Sequence, residues 1–180
     1  SDALYARMWD LLLTNRSVLG EEKTFQLLNE FIKMTTHTTE GQHIELSWVN
    51  DNRWDLSEED YYVMCRKKTS WYTCITPLRL GGVIGGADQK LMDAFIPFGM
   101  DLGVAFQIQD DVLNLIGDEE KYGKEIGGDI WEGKRTLITL HLLRSADPEE
   151  SREIINTLSK KRRDKTREDV KRVLRSMKSY

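Results

Sequence analysis

Cysteine, proline and long apolar runs are all scarce in this sequence of 180 residues. Its two cysteines, Cys65 and Cys74, have neither the spacing of a metal site nor the numbers of a disulfide framework, which indicates reduced intracellular thiols. No apolar run approaches the roughly 20 residues of a membrane span, and no signal peptide is visible. The sequence therefore predicts a soluble, cytoplasmic protein without an integral membrane segment.

A strong net charge is also missing. Charged residues make up 31% of the sequence, but the formal net charge is only -4, so no overall field attracts nucleic acid. The stretch 160–178 is locally basic, yet Val170, Val173 and Leu174 give it an apolar stripe. This pattern favours an amphipathic surface helix over a nucleic-acid or membrane contact, and we expect no nucleic-acid partner.

The patterns that are present belong to helices. Only three prolines occur, alternating strand patterns are rare, and apolar residues recur with the period of a helix, so we predict one all-α domain over residues 1–180. The glycine-rich stretch 117–134 is predicted to be a loop. Helices are predicted at 3–14, 21–48, 57–68, around Pro77, at 88–116 and 135–144, and from Asp147 and Thr166 onward.

The predicted helix 88–116 carries a polar face in an otherwise apolar sequence. Gln107, Asp110, Asp111 and Asn114 stand at i, i+3, i+4 and i+7, so their side chains share one side of the helix. Adjacent carboxylates facing a bundle interior repel each other and lose hydration, which a cation relieves. Oxygen ligands suit Mg²⁺, which often shares its shell with phosphate. The pattern favours a Mg²⁺-diphosphate site, with both acids and the asparagine as ligands, over a structural acid pair.

Lysines supply the opposite charge. Lys124 and Lys134 lie with Asp129 in the loop that follows this helix, where they can close over phosphates, although an ordinary surface loop is the alternative. Lys68 lies at a predicted helix end, where a lysine often only complements the helix dipole. Gln42 is similarly ambiguous by itself.

Five motifs in one order resemble the trans-prenyltransferases, the polyprenyl diphosphate synthases of the geranylgeranyl and farnesyl type. The resemblance covers almost the whole sequence and is most specific at the family's second aspartate-rich region. The motifs are Gly41-Gln42, Lys68-Thr69-Ser70-Trp71-Tyr72, FQIQDDVLN from Phe106, YGKEIGGD from Tyr122, and Gly133-Lys134-Arg135-Thr136.

This resemblance implies an isoprenoid-synthase-type helical bundle around a central cavity. It also implies head-to-tail condensation of an allylic diphosphate with isopentenyl diphosphate, with Mg²⁺ as cofactor. Asp110 and Asp111 would hold Mg²⁺ on the allylic diphosphate, with Gln107 as a polar neighbour. The residues that would bind the diphosphate or stabilise the allylic cation are Gln42, Lys68, Thr69, Tyr72, Lys124 and Lys134.

The sequence departs from the family in two ways. Asn114 stands where the family usually has a third acid, which predicts somewhat lower metal affinity. The family's first aspartate-rich motif lies upstream of the segment that residues 1–13 resemble, and the family continues past Tyr180. We therefore expect a piece of a longer chain, without the N-terminal helices of the bundle and inactive alone.

The remaining expectations concern assembly and alternatives. Family members usually dimerise, and the apolar content of residues 3–34 permits a homodimer. A noncatalytic partner subunit of a prenyl synthase is one alternative reading. A class I terpene cyclase is the other, although its second metal motif mixes Asn, Ser and Glu at wider spacing, a pattern not found here.

Overall fold

The computed structural model describes residues 2–117 and 125–180. Helices without a strand make up the regular structure of these residues, which confirms the all-α prediction. The α-helices are α1 Asp2–Thr14, α2 Arg16–Leu19, α3 Glu21–Asn50, α4 Glu58–Cys65, α5 Thr76–Gly85, α6 Gln89–Ile116, α7 Gly128–Glu132, α8 Leu137–Ser145, α9 Pro148–Leu158 and α10 Arg167–Ser179. A π-helix, Arg66–Ile75, joins α4 to α5, and a short 3₁₀ turn, Arg162–Asp164, precedes α10.

Polar caps fix the helix starts where the sequence predicts them. The Ser57 hydroxyl accepts a hydrogen bond from the Asp60 N–H, and the Asp60 carboxylate accepts one from the Ser57 N–H. Thr166 and Asp169 form the same reciprocal pair at the start of α10. Each pair satisfies two backbone donors that the first helical turn leaves unpaired, which confirms both predicted starts.

The predicted end of a helix at Lys68 is wrong. The chain continues from α4 through the π-helix Arg66–Ile75 into α5, and Lys68 lies in the middle of this run. The π-helix packs between α3 and α6, and glycines permit the close approach on both sides. A Cβ on Gly41 of α3 would overlap the Lys68 backbone, and one on Gly103 of α6 would overlap Ser70. The family-like Gly41 is therefore a packing requirement.

The predicted loop over residues 117–134 is wrong in part. Residues 118–124 lie outside the described part of the chain, but Gly128–Glu132 form the short helix α7. The glycines of this stretch act at its ends: Gly127 and Gly133 have φ of 77° and 69°, in the left-handed region that favours glycine. They turn the chain into α7 and out again, so the segment has a fixed shape beside α6.

Three apolar clusters form the core, and α6 keeps an exposed apolar side. One cluster contains Trp48, Tyr61 and Leu140, a second joins the C-terminal helices through Leu142 and Val173, and the third joins α1, α3 and α5. By length and composition alone, α6 could cross a membrane, and its apolar window is only 17% buried. A single helix of this kind is weak evidence for a membrane span, and α6 also carries two acids near its end. Exposed apolar side chains on α6 are Leu91, Phe98, Leu102, Phe106 and Ile116.

Candidate active site

A cavity of about 380 Å³ lies between the C-terminal half of α6 and residues 125–134, which we call the returning segment. Three residues that the sequence places in the site, Asp110, Asn114 and Lys134, line this cavity together. Glu125, Asp129, Glu132 and Arg162 complete its charged lining. The structure therefore brings acids and cations from distant parts of the chain to one opening.

Asp129 and Lys134 form the charged centre of the returning segment. The Lys134 ammonium lies 2.8 Å from the Asp129 carboxylate and 3.4 Å from Glu132. Burial raises the pKa of Asp129, and the ammonium offsets part of that rise. Burial by itself lowers the pKa of Lys134, but the neighbouring carboxylates, Asp129 first, bring it above its usual value. Lys134 thus remains a cation at the cavity wall at neutral pH.

Asn114 fastens the returning segment to α6. Its Oδ1 accepts a hydrogen bond from the Asp129 N–H at 3.1 Å, and its Nδ2 donates to the Glu125 carbonyl at 3.3 Å. The Gly127 N–H donates to the backbone carbonyl of Asn114 at 2.8 Å. Both polar atoms of the side chain are therefore engaged with the chain that carries Asp129.

Asp111 lies in a different environment from its neighbour Asp110. The Asp111 carboxylate is buried, and it accepts hydrogen bonds from the Tyr61 hydroxyl at 2.7 Å and from Gln107 Nε2 at 2.9 Å. Burial raises the pKa of Asp111 to about 6, while these two donors restrain the rise. Asp110 is half-buried and lines the cavity. The two acids therefore lie in different surroundings.

The polar contacts of Asp111 extend across three elements. Gln107 also accepts a hydrogen bond from the Thr69 hydroxyl at 2.7 Å. The chain from Thr69 through Gln107 and Asp111 to Tyr61 joins the π-helix, α6 and α4. We call these four residues the buried polar network. The resemblance pointed to the first three, whereas Tyr61 was missed because it lies 50 positions from Asp111 without a motif of its own.

Lys68 and Gln42 meet at a residue that the sequence did not single out. The Lys68 ammonium lies 2.5 Å from Glu45 Oε2, and Gln42 Nε2 donates to the same oxygen at 3.4 Å. The charge of Glu45 also contributes to the raised pKa of Lys134. The spacing of Gln42 and Glu45, three residues apart on α3, is the signal that would have found it.

Two further site residues remain from the sequence prediction. Tyr72 lies on the π-helix with 52% of its side chain exposed. Lys124 lies outside the described residues, so its predicted role stays a prediction. The cavity thus brings together Asp110, Asn114 and Lys134, whereas Asp111 lies in the buried polar network and Lys68 pairs with Glu45.

The donor set at the cavity fits a hard divalent cation. Within residues 2–117 and 125–180 there is no ready cluster of three or more histidine, cysteine or acidic ligands. Mg²⁺ in phosphate-handling enzymes is typically held by one or two carboxylates together with waters and substrate phosphates. Asp110 and Asp129 supply two carboxylates that line the cavity, and burial raises the pKa of Asp129 despite the ammonium of Lys134, so a further cation there would stabilise the charged carboxylate.

Comparison with known proteins finds similarity to prenyl diphosphate synthases. A geranylgeranyl diphosphate synthase from Saccharolobus solfataricus is 34% identical over 172 residues, which cover 95% of this chain and 50% of the relative. A short chain isoprenyl diphosphate synthase from Methanocaldococcus jannaschii is 31% identical over 89% of this chain and 47% of its own length. The chain thus spans about half the length of the curated relatives it matches.

Solved structures give the same result. A geranylgeranyl pyrophosphate synthase from Corynebacterium glutamicum, complexed with isoprenyl diphosphate and magnesium, superimposes with a TM-score of 0.83 at 30% identity, over 97% of this chain and 48% of its own. A polyprenyl synthase from Caulobacter crescentus, complexed with calcium and isoprenyl diphosphate, gives 0.84 at 27% identity, over 99% and 51%. The polyprenyl synthetase family model matches residues 1–177, and the chain therefore belongs to the polyprenyl synthetase family.

Proposed function

We propose that this chain supplies the diphosphate-binding wall of a prenyltransferase that joins an allylic diphosphate to isopentenyl diphosphate head to tail. The observation that carries the proposal is the cavity where Asp110, Asp129 and Lys134 meet. Both the family and the names of its relatives, which are prenyl diphosphate synthases, support it.

Ionisation of an allylic diphosphate develops negative charge on the departing phosphates. Mg²⁺, when bound, supplies positive charge that stabilises this leaving group. Asp110 and Asp129 are the carboxylates that we propose as its ligands, with the predicted ligands Asp111 and Asn114 fixing their surroundings. The Lys134 ammonium acts on the same phosphates, and a fixed charge of this kind favours the transition state over the ground state.

The allylic cation needs dipoles nearby and few nucleophiles. We propose that Thr69, Gln107 and Gln42 supply such dipoles, since the first two are held by the buried polar network and the third by α3. Lys68 adds a cation on the π-helix, oriented by Glu45. Tyr72 and Lys124 remain in the proposed site through the family motifs that they match.

The proposal concerns the complete enzyme. The described acids of the cavity come from α6 and the returning segment, and the chain covers about half the length of its relatives. We propose that the chain alone binds diphosphate weakly and does not turn over.

Assembly and location belong to the same proposal. Exposed apolar side chains on α1–α3 support a homodimer through this surface, and two buried free cysteines support a reducing, cytoplasmic location. Within residues 3–34, the exposed apolar residues of this surface are Leu11, Leu13, Val18, Phe25 and Ile32. Sedimentation of the chain over a range of concentrations tests the dimer, and a monomer at every concentration would contradict it.

Calorimetric titration with a non-hydrolysable allylic diphosphate analogue tests the function. We expect binding that requires Mg²⁺ and is lost with a chelator. Lys134→Ala should weaken it about tenfold, because charge-assisted hydrogen bonds are among the stronger ones. Lys178→Ala, on the exposed end of α10, is the matched control and should bind as wild type does. Absence of Mg²⁺-dependent binding at millimolar analogue would overturn the proposal.

A further inference from the structure

The basic segment 160–165 lies beside the cavity and is held there by a buried lysine. Lys165 is only 6% exposed, and its ammonium donates to the carbonyls of Trp131 at 2.9 Å and Lys160 at 2.8 Å. Trp131 belongs to α7, the helix that carries Asp129. Lys165 therefore pins this segment to the element that forms one side of the cavity.

Arg162 is the residue of this segment that reaches the cavity. Its guanidinium carbon lies 5.7 Å from the centroid of the Trp131 ring, and its Nη2 lies 2.7 Å from Glu125 Oε2. It lines the same cavity as Asp110, Asn114 and Lys134. Contacts with α7 and with the returning segment thus hold the guanidinium at the mouth, although 53% of the side chain is exposed.

Lys160 and Arg163 of the same segment are directed elsewhere. Lys160 forms an ion pair with Asp169 at 2.9 Å, and Arg163 is 79% exposed and 3.7 Å from Asp164. Within the described residues, the basic side chains that line the cavity are Lys134 and Arg162. Arg162 is therefore the cation of segment 160–165 that lines the cavity. The segment does not form a continuous basic surface for a long polyanion.

A diphosphate in this cavity needs more donors than Lys134 provides. Four acids, Asp110, Glu125, Asp129 and Glu132, line it, and the Lys134 ammonium is already bonded to one of them. An arginine carries five N–H donors in a planar fork, so it can keep one carboxylate and still bind two phosphate oxygens.

We propose that Arg162 is a further diphosphate-binding residue, which clamps the phosphates from the side of the cavity opposite α6. The inference rests on the proposed function, because it assumes that a diphosphate enters this cavity. It gives Arg162, in the basic run 160–178 that the sequence assigned to an amphipathic surface helix, a role in binding.

Titration calorimetry with inorganic pyrophosphate and Mg²⁺ tests the inference on the chain itself. Arg162→Ala is expected to weaken pyrophosphate binding about tenfold, because it removes a bidentate, charge-assisted contact. Arg162→Lys keeps the charge without the fork and should fall between this variant and wild type. Arg163→Ala removes the same charge one residue away and should bind within about twofold of wild type.

The outcomes distinguish a failure of this inference from a failure of the proposed function. Wild-type affinity in Arg162→Ala, or an equal loss in Arg162→Ala and Arg163→Ala, would overturn the role of Arg162 and leave the diphosphate site standing. A wild-type chain that binds no pyrophosphate would overturn both. The midpoints of thermal unfolding should agree among the four proteins, since Arg162 and Arg163 lie on an exposed turn.

Discussion

Asp110 and Asp111 are neighbours in the sequence, but they belong to two regions with opposite character. Asp110 lines an open cavity in which acids face the ammonium of Lys134. Asp111 belongs to the buried polar network, where the neutral donors Tyr61 and Gln107 occupy its two oxygens. Two adjacent aspartates therefore need not be two equal metal ligands, because the helix turns them towards different surroundings.

The difference has a thermodynamic consequence. Breaking a buried hydrogen bond leaves a polar atom without water, so changes in the buried polar network should lower the free energy of unfolding. Cavity residues keep access to solvent, and their loss should mainly reduce ligand affinity. Variants on the two sides of α6 should separate these effects.

The largest expected effect is on binding and comes from Asp110→Ala. We expect Mg²⁺-dependent affinity for a non-hydrolysable allylic diphosphate analogue to fall about tenfold to a hundredfold, since one of two proposed carboxylate ligands is removed. The midpoint of urea unfolding should stay near that of wild type. Asp101→Ala, exposed on the same helix, is the control. Unchanged affinity in Asp110→Ala would place the cation elsewhere.

Tyr61→Phe probes the other region. It deletes one hydroxyl and leaves a buried Asp111 oxygen without its donor, which should lower the free energy of unfolding by about 2 kcal/mol. Urea titration at pH 7 measures this change, with Tyr62→Phe on the next position of α4 as the control. Equal stability of the two variants would show that the Tyr61 hydroxyl does not support Asp111.

Structural features that depend on residues close together in the chain can be predicted from the sequence. The caps at Ser57 and Thr166 follow from local spacing, and the structure confirms them. The π-helix, the contact of Tyr61 with Asp111 and the role of Glu45 depend on packing between distant segments. A glycine such as Gly41 gives no local sign that the Lys68 backbone will lie against it. Tertiary contacts of this kind are what sequence spacing leaves undetermined.

Thr69→Val tests the far end of the buried polar network. The Thr69 hydroxyl donates to the neutral Gln107 amide, so its loss should lower the free energy of unfolding by about 1 kcal/mol, less than the loss of Tyr61. Thr73→Val is the matched control on the same π-helix. Within the described part of the chain, the buried Thr73 hydroxyl has no hydrogen-bond partner, so its replacement should be neutral or slightly stabilising. A larger loss in Thr73→Val than in Thr69→Val would contradict this assignment.

The smallest effect on stability is expected at Asp169. Like Asp111, it accepts two hydrogen bonds, but it is not part of the buried polar network. Asp169 accepts hydrogen bonds from the Thr166 N–H and the Lys160 ammonium, both at 2.9 Å. These donors, the backbone N–H first, lower its pKa to about 2, whereas burial raises the pKa of Asp111 despite two donors. Burial therefore decides the direction of the shift more than the number of hydrogen bonds does.

Because folding lowers the pKa of Asp169, its contribution to stability is complete above the unfolded pKa near 4 and is lost as the pH falls towards 2. Asp169→Asn keeps an acceptor oxygen but removes the charge at the start of α10, so we expect a loss of about 0.5 kcal/mol at pH 7. Urea unfolding at pH 7 and pH 3 should show a smaller difference between the two proteins at the lower pH. A difference that grows with acidification would mean that the charge of Asp169 does not stabilise the folded state, and that its hydrogen bonds act as those of a neutral cap.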